Sequence, residues 1–276
     1  MTLSSANPPV ILSFSVLDPS GTGGIQANIE TAASLGCHCA PIITAICTSG
    51  AAPDSDIVAL DPTIIIEQAR SVIEEMDVQA ISIGFLGSLQ ITEAIHSILR
   101  DCDNIPVVTH PSLCFIDKEN REHSEIKDAF TNLILPQANI ANFSLFEARD
   151  IAKETDTVDT TAHAIISTGC DIAVITGTQA VQNSVFDAKG LVKNYRWEQE
   201  PANCHGASST LTMAMACYLG HGFSESQAIE QAHNFTWQTM RTSRDLGFDR
   251  RTPHRLYWAD KNIETSDDTP PSTLTH

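Results

Sequence analysis

Apolar residues along this chain form short runs that alternate with stretches in which they recur every three or four positions. Val10–Val16 (VILSFSV) is a short apolar run, and Asp18–Gly24 (DPSGTGG) is a tight turn. Ile25, Ile29, Ala32, Ala33 and Leu35 then repeat at a helical period, and Gly36 stands where a helix C-terminus takes glycine. The same reading predicts strands at Pro41–Ile46, Ala80–Phe85, Pro106–Thr109 and Ile172–Thr176. It predicts helices at Thr63–Met76, Ile91–Arg100, Ser124–Leu133, Leu145–Lys153 and Thr160–Ser167. Apolar strands without alternation are buried on both faces, and strands separated by helices pair in parallel. Ser184–Asp187 and Leu191–Arg196 are placed as an antiparallel pair around Ala188-Lys189-Gly190, and two closing helices as Ser209–Leu219 and Ser224–Thr242. The pattern predicts one α/β domain over residues 1–261. Asn262–His276 is polar and rich in Pro and Thr, with too little apolar surface to order itself, and is expected to be a disordered tail.

Composition narrows the function classes. The 276 residues are 42% hydrophobic, enough for one large core, and no Gly, Pro or Ser linker divides the middle. A formal net charge of -18 argues against nucleic acid and against anionic membrane surfaces as partners. It leaves room for a nucleotide, because backbone N–H groups at a helix start can hold phosphate. The cysteines are scattered, without a C-x-x-C pair; Cys37 and Cys39 fall on one strand face with no further ligands nearby, and free buried thiols in a reducing compartment are expected. Met1–Pro9 has neither a basic n-region nor a long apolar run, so no signal peptide or membrane span is expected and the chain is placed in the cytoplasm.

Two glycine-containing turns carry the candidate chemistry. In the first, Gly21, Gly23 and Gly24 let the backbone approach a ligand, although the spacing is neither G-x-G-x-x-G nor a Walker loop and also suits a plain strand-to-helix turn. The second, Asn203–Leu211 (NCHGASSTL), opens a helix of small residues. Its hydroxyls can cap that helix, or the amides of Ala207, Ser208 and Ser209 can form an anion hole after Gly206, helped by the helix dipole.

These turns resemble the hydroxymethylpyrimidine/phosphomethylpyrimidine kinases of the ribokinase-like superfamily. DPSGTGGIQANI is similar to D-P-S-G-G-A-G-I-Q-A-D-[LI], and CHGASSTL to T-H-G-T-G-C-T-L. Between and around them LGCHCAPIITAI, IGFLGS, PVVTHP, LILPQANIANFSLFEA and IAVITGT follow the family's segments in collinear order over roughly residues 10–245. The resemblance implies a three-layer α/β/α sandwich with a mainly parallel central sheet and a substrate at the carboxyl ends of the strands. It implies phosphoryl transfer from ATP with Mg2+ to hydroxymethylpyrimidine or its monophosphate in thiamine synthesis, and a homodimer.

Residue by residue, the resemblance assigns Ser209 to the catalytic position and Gly206, Ala207 and Ser208 to the anion hole. It assigns Val16, Asp18, Gly23, Asn28, Ser49, Phe85 and Ser112 to the substrate, Ser144, Thr176 and Gly177 to the nucleotide, and Glu147 to the metal. Many of these depart from the family pattern. Ser208-Ser209 replaces Gly-Cys, and a serine hydroxyl has no accessible anion near neutral pH. His205 stands where the family also has His, and reads as structural. Ser49 replaces a Gln, Asn28 an Asp, Val16 a Gly and Phe85 a Met, which changes the polarity and volume of one cavity. His110 replaces an Asp, Ser144 an Asn and Thr176 a Lys, which thins the groups that neutralise phosphate charge. Three functions stay open: a pyrimidine kinase with a divergent site, a catalytically silent member that binds a pyrimidine, nucleotide or protein partner, and a kinase for a pyridoxal-like ring.

Overall fold

The computed structural model describes residues 7–48, 57–113, 121–153, 156–179, 181–198, 204–247 and 250–260. Nine strands form one sheet in the order β3-β2-β1-β4-β5-β6-β7-β8-β9. These are β1 Val10–Leu17, β2 His38–Cys47, β3 Ile57–Ala59, β4 Val78–Ile83, β5 Val107–Thr109, β6 Ile140–Ser144, β7 Ile172–Gln179, β8 Gln182–Asp187 and β9 Gly190–Arg196. β1, β2 and β4 to β7 run parallel; β3, β8 and β9 pair antiparallel at the two ends. The helices are α1 Gly24–Ser34, α2 Pro62–Glu75, α3 Leu89–Arg100, α4 Arg121–Ala129, α5 Leu145–Ala152, α6 Val158–Ile166, α7 Ala207–Gly220 and α8 Glu225–Arg241. β10 (Arg244–Asp245) and β11 (Arg251–Thr252) form a separate two-stranded ladder. Among the described residues no helix is long and apolar enough to cross a membrane.

Three layers follow from strand period. Leu12 and Phe14 of β1 face a core shared with α2, α3, α5 and α6, through Ile65, Ile95, Ala148 and Ile165. Ile11, one position away, faces the other core with α1, α7 and α8, through Ala32, Met213 and Ala232. α7 is buried from Thr210 to Tyr218, as a helix apolar all round must be. Cys37 and Cys39 both pack on this second core, and the described cysteines form no disulfide with one another; Cys114 lies outside the described residues.

The expected elements form, with four additions. β3 is three residues at an edge, too short to show a period. β6 carries a buried Asn142 at its centre, which breaks the apolar run; its Nδ2 donates to Thr212 Oγ1 of α7 at 3.0 Å. β10 and β11 are two residues each. The helix expected over Ser124–Leu133 ends as α4 at Ala129, and a π-helical turn, Phe130–Ile134, carries the chain on. The expected tail, residues 262–276, lies outside the described residues.

Most helices start with a side-chain cap. Asp61, Ser88, Ser144, Thr157 and Ser224 accept from first-turn amides of α2, α3, α5, α6 and α8. α1 and α7 start instead on Gly23 and Gly206, with no side-chain cap. Gly24 has φ 61°, and a Cβ there would meet the Val16 carbonyl oxygen at 2.3 Å. Gly24→Ala is therefore expected to lower stability by about 2–4 kcal/mol, from the left-handed φ and the backbone clash together. Urea unfolding of the variant beside Gly36→Ala, where nothing lies within 4 Å of the added Cβ, separates the clash from the φ cost.

Candidate active site

Parallel strands bring their carboxyl ends to one edge, and the two glycine turns meet there. Asp18 follows β1 and organises the first turn. Its Oδ1 accepts from the Ser20 N–H (2.9 Å) and O–H (2.7 Å), and its Oδ2 from the Thr22 O–H (3.0 Å) and Gly23 N–H (3.1 Å). Asp18 is buried, and its carboxylate is taken up by its own loop rather than offered to a substrate. Gly206, with φ 89°, opens α7 directly against this turn; a Cβ on it would lie 1.8 Å from the Thr22 carbonyl oxygen. Ser209 Oγ is 3.6 Å from the place a Cβ on Gly23 would occupy. The Ala207–Ser209 turn and the Gly21–Gly24 turn thus share one wall. Ser208 contributes its carbonyl to the frame, accepting from Thr212 Oγ1 at 2.8 Å and from Asn142 Nδ2 at 3.4 Å. His205 is exposed, and its backbone N–H donates to the Arg251 carbonyl.

The residues expected around a ring are placed differently. Val16 and Phe85 are each 0% exposed and pack with Ala45 and Cys47 in a small apolar cluster of their own. Asn28 is also buried; its Nδ2 donates to Ser13 Oγ at 2.9 Å and joins α1 to β1 rather than facing the strand ends. Ser49 lies outside the described residues. A cavity of about 510 Å³ adjoins the first turn on another flank, lined by Asp18, Ser20, Glu30, Arg244, His254 and Leu256, and Ser209 and Phe85 do not reach it.

On the nucleotide side, Ser144 caps α5 in a box with Glu147. Thr176 Oγ1 donates to the Phe143 carbonyl at 3.2 Å, and the Gly177 N–H to Asn183 Oδ1 at 3.1 Å. Glu147 does not stand as a metal ligand. Its Oε1 accepts from the Leu113 N–H (3.1 Å) and its Oε2 from the Ser144 N–H (3.0 Å) and O–H (2.8 Å), with His110 Nε2 at 3.3 Å. Mg2+ asks for several oxygens with free lone pairs. Here the carboxylate is committed, its neighbour is an imidazole, and no group of three or more His, Cys, Asp or Glu side chains among the described residues could hold a metal. The protein-side groups do not fit Mg2+. Ser112, expected at the substrate, has φ 50° and pairs its hydroxyl with His110 Nδ1 at 2.6 Å.

Sequence reasoning missed the His110–Glu147 contact, because it joins the end of β5 to the first turn of α5, far apart in the chain. It also missed Arg255, which ties both turns together from a segment with no periodic signal; only its being an arginine beside a proline-containing turn hinted at a fixed role.

Burial alone would raise the Glu147 carboxyl, but the His110 charge and hydrogen bond and the two Ser144 donors outweigh it and bring the group from 4.5 down to about 2. A folded value below the unfolded one stabilises the fold fully above the unfolded value, and the contribution disappears as pH falls through that value toward about 2. Glu147→Gln is expected to lower stability by about 2–3 kcal/mol at pH 7 and by much less near pH 3. Urea midpoints of wild type and variant across that range measure it; a gap independent of pH would contradict it.

A sequence profile described as phosphomethylpyrimidine kinase matches residues 18–254. A hydroxymethylpyrimidine/phosphomethylpyrimidine kinase of Streptomyces coelicolor is 26% identical over 249 residues, which cover 87% of this chain and 91% of the relative. One of Rhizobium meliloti is 28% identical over 232 residues, covering 81% and 87%. A probable thiamine biosynthetic bifunctional enzyme, chloroplastic, of Oryza sativa subsp. japonica is 23% identical over 248 residues; this chain spans 45% of its length. Among solved structures, an ADP complex of Bacillus subtilis pyridoxal kinase aligns with TM-score 0.83 at 22% identity over 92% of this chain and 100% of the other. Phosphomethylpyrimidine kinase from Clostridium difficile 630 aligns with TM-score 0.70 at 22% identity over 82% and 98%. The structural likenesses show the shared ribokinase-like fold, and the profile, which runs from the first turn through both ends of the site, shows the lineage: the chain belongs to the phosphomethylpyrimidine kinase family.

Proposed function

We propose that this chain transfers the γ-phosphoryl group of ATP to the hydroxymethyl oxygen of hydroxymethylpyrimidine or to its monophosphate, with a weakened proton acceptor. The observation that carries the reading is the start of α7. It is capped by glycine and by no side chain, and it lies against a second glycine turn, while Asp61, Ser88, Ser144, Thr157 and Ser224 cap other helices. Unsatisfied first-turn amides and the helix dipole favour an anion where charge builds up on the transferred group.

In the reaction, the hydroxymethyl oxygen bonds to the γ-phosphorus as the bond to the departing ADP oxygen breaks. In this reading Ser209 holds the acceptor hydroxyl and passes its proton onto the transferred phosphoryl group. A serine does this without a stable anion, so positioning supplies most of the rate. No step is assigned to a protein-bound metal, since the groups at His110 and Glu147 do not suit one.

A second reading, a catalytically silent member that binds a nucleotide, a ring or a protein partner, draws on Val16 and Phe85, two residues the resemblance assigns to the substrate, being fully buried in one apolar cluster. ADP formation with hydroxymethylpyrimidine and with its monophosphate, followed beside ligand-induced thermal shifts, separates the two. Turnover supports the kinase; shifts without turnover support the silent member; a shift with pyridoxal alone supports a pyridoxal-like substrate.

Ser208→Gly with Ser209→Cys is expected to raise the pyrimidine-kinase rate about tenfold or more, because a thiol near a helix N-terminus ionises far more readily than a hydroxyl. A folded double variant with no gain would move the defect to the ring side.

A further inference from the structure

Arg255 is 1% exposed and heads the largest fully buried side chains of the fold. It follows β11, one residue past the end of the family match at 254. Its Nε donates to Thr210 Oγ1 at 2.9 Å, its Nη1 to Glu30 Oε2 at 3.0 Å, and its Nη2 to the Thr22 carbonyl. Thr22 belongs to the first glycine turn and Thr210 to the first turn of α7. A Cβ on Gly206 would lie 2.8 Å from Nη2, so the guanidinium stands directly behind the start of that helix.

Burial pulls the guanidinium below its ordinary value and Glu30 pushes it back; arginine stays charged under such pressure. The two charges sit in different media. The Arg255 side chain is 0% exposed and that of Glu30 is 35% exposed. Water and salt screen the carboxylate more than the cation. Asp18, buried in the first turn, also acts on the guanidinium, so Arg255 is the cation that offsets two carboxylates at the α7 start, in the same sense as the helix dipole.

We infer that Arg255 is a positioning residue for a phosphate or oligophosphate at the start of α7, holding the two glycine turns together and, through its unequally screened pair with Glu30, setting anion affinity there. The inference rests on reading that turn as a phosphate site.

Calorimetric titration of inorganic pyrophosphate into wild type, Arg255→Met, Arg255→Lys and Glu30→Gln, at low and high salt, tests it. Arg255→Met is expected to weaken binding about tenfold or more, with Arg255→Lys in between. Glu30→Gln is expected to tighten binding about two- to fivefold at low salt, with the gain shrinking as salt rises. A purely structural tie would make Glu30→Gln and Arg255→Met weaken binding alike, and that result overturns the inference. If Arg255→Met does not fold, the sign of the Glu30→Gln change decides. No pyrophosphate binding by the folded wild type would instead remove the phosphate site itself, and the inference with it.

Discussion

The contact on which the site depends is backbone against backbone: Gly206 seated on the Thr22 carbonyl. No side chain fits between them, since any Cβ on Gly206 would lie within 1.8 Å of that oxygen. The left-handed φ of Gly206 lets α7 start directly against the first turn. Asn142 holds α7 from β6 and Arg255 holds it from the C-terminal segment, so three distant parts of the chain fix one turn.

The proposed anion site, built from amides and a helix dipole, suits so acidic a chain. At a net charge of -18 the long-range field repels a polyphosphate, but salt screens that field within about 10 Å, whereas the amides act at contact. The polar side chains at the same edge are occupied elsewhere. Asp18 ties its own loop, Ser144 caps α5, Thr176 donates to Phe143, and Glu147 collects donors from Leu113 and Ser144. In the proposed reading this edge holds phosphate through its backbone, while the side chains that would add charge or a metal serve the fold.

How much of this was legible differs by element. α1 was readable because Ile25, Ile29, Ala32 and Leu35 keep one period and Gly36 ends it; β1 because it is a buried run of small and apolar residues. β6 was not, because Asn142 interrupts it and is tolerated only through its bonds to α7. Within the site, the glycine turns were legible because glycine at those positions has a backbone meaning. The roles given to Asp18, Asn28 and Glu147 were not, because a carboxylate or amide in sequence does not say which donors will reach it first.

The sequence by itself determined the alternation of strands and helices, the parallel sheet that follows from it, and the two glycine turns, since periodicity and backbone freedom are local properties. Only the tertiary structure decided that Val16 and Phe85 pack on each other, that His110 sits beside Glu147, and that Arg255 stands behind the start of α7. Each is a contact between segments far apart in the chain, and such contacts are fixed by how the layers close on one another.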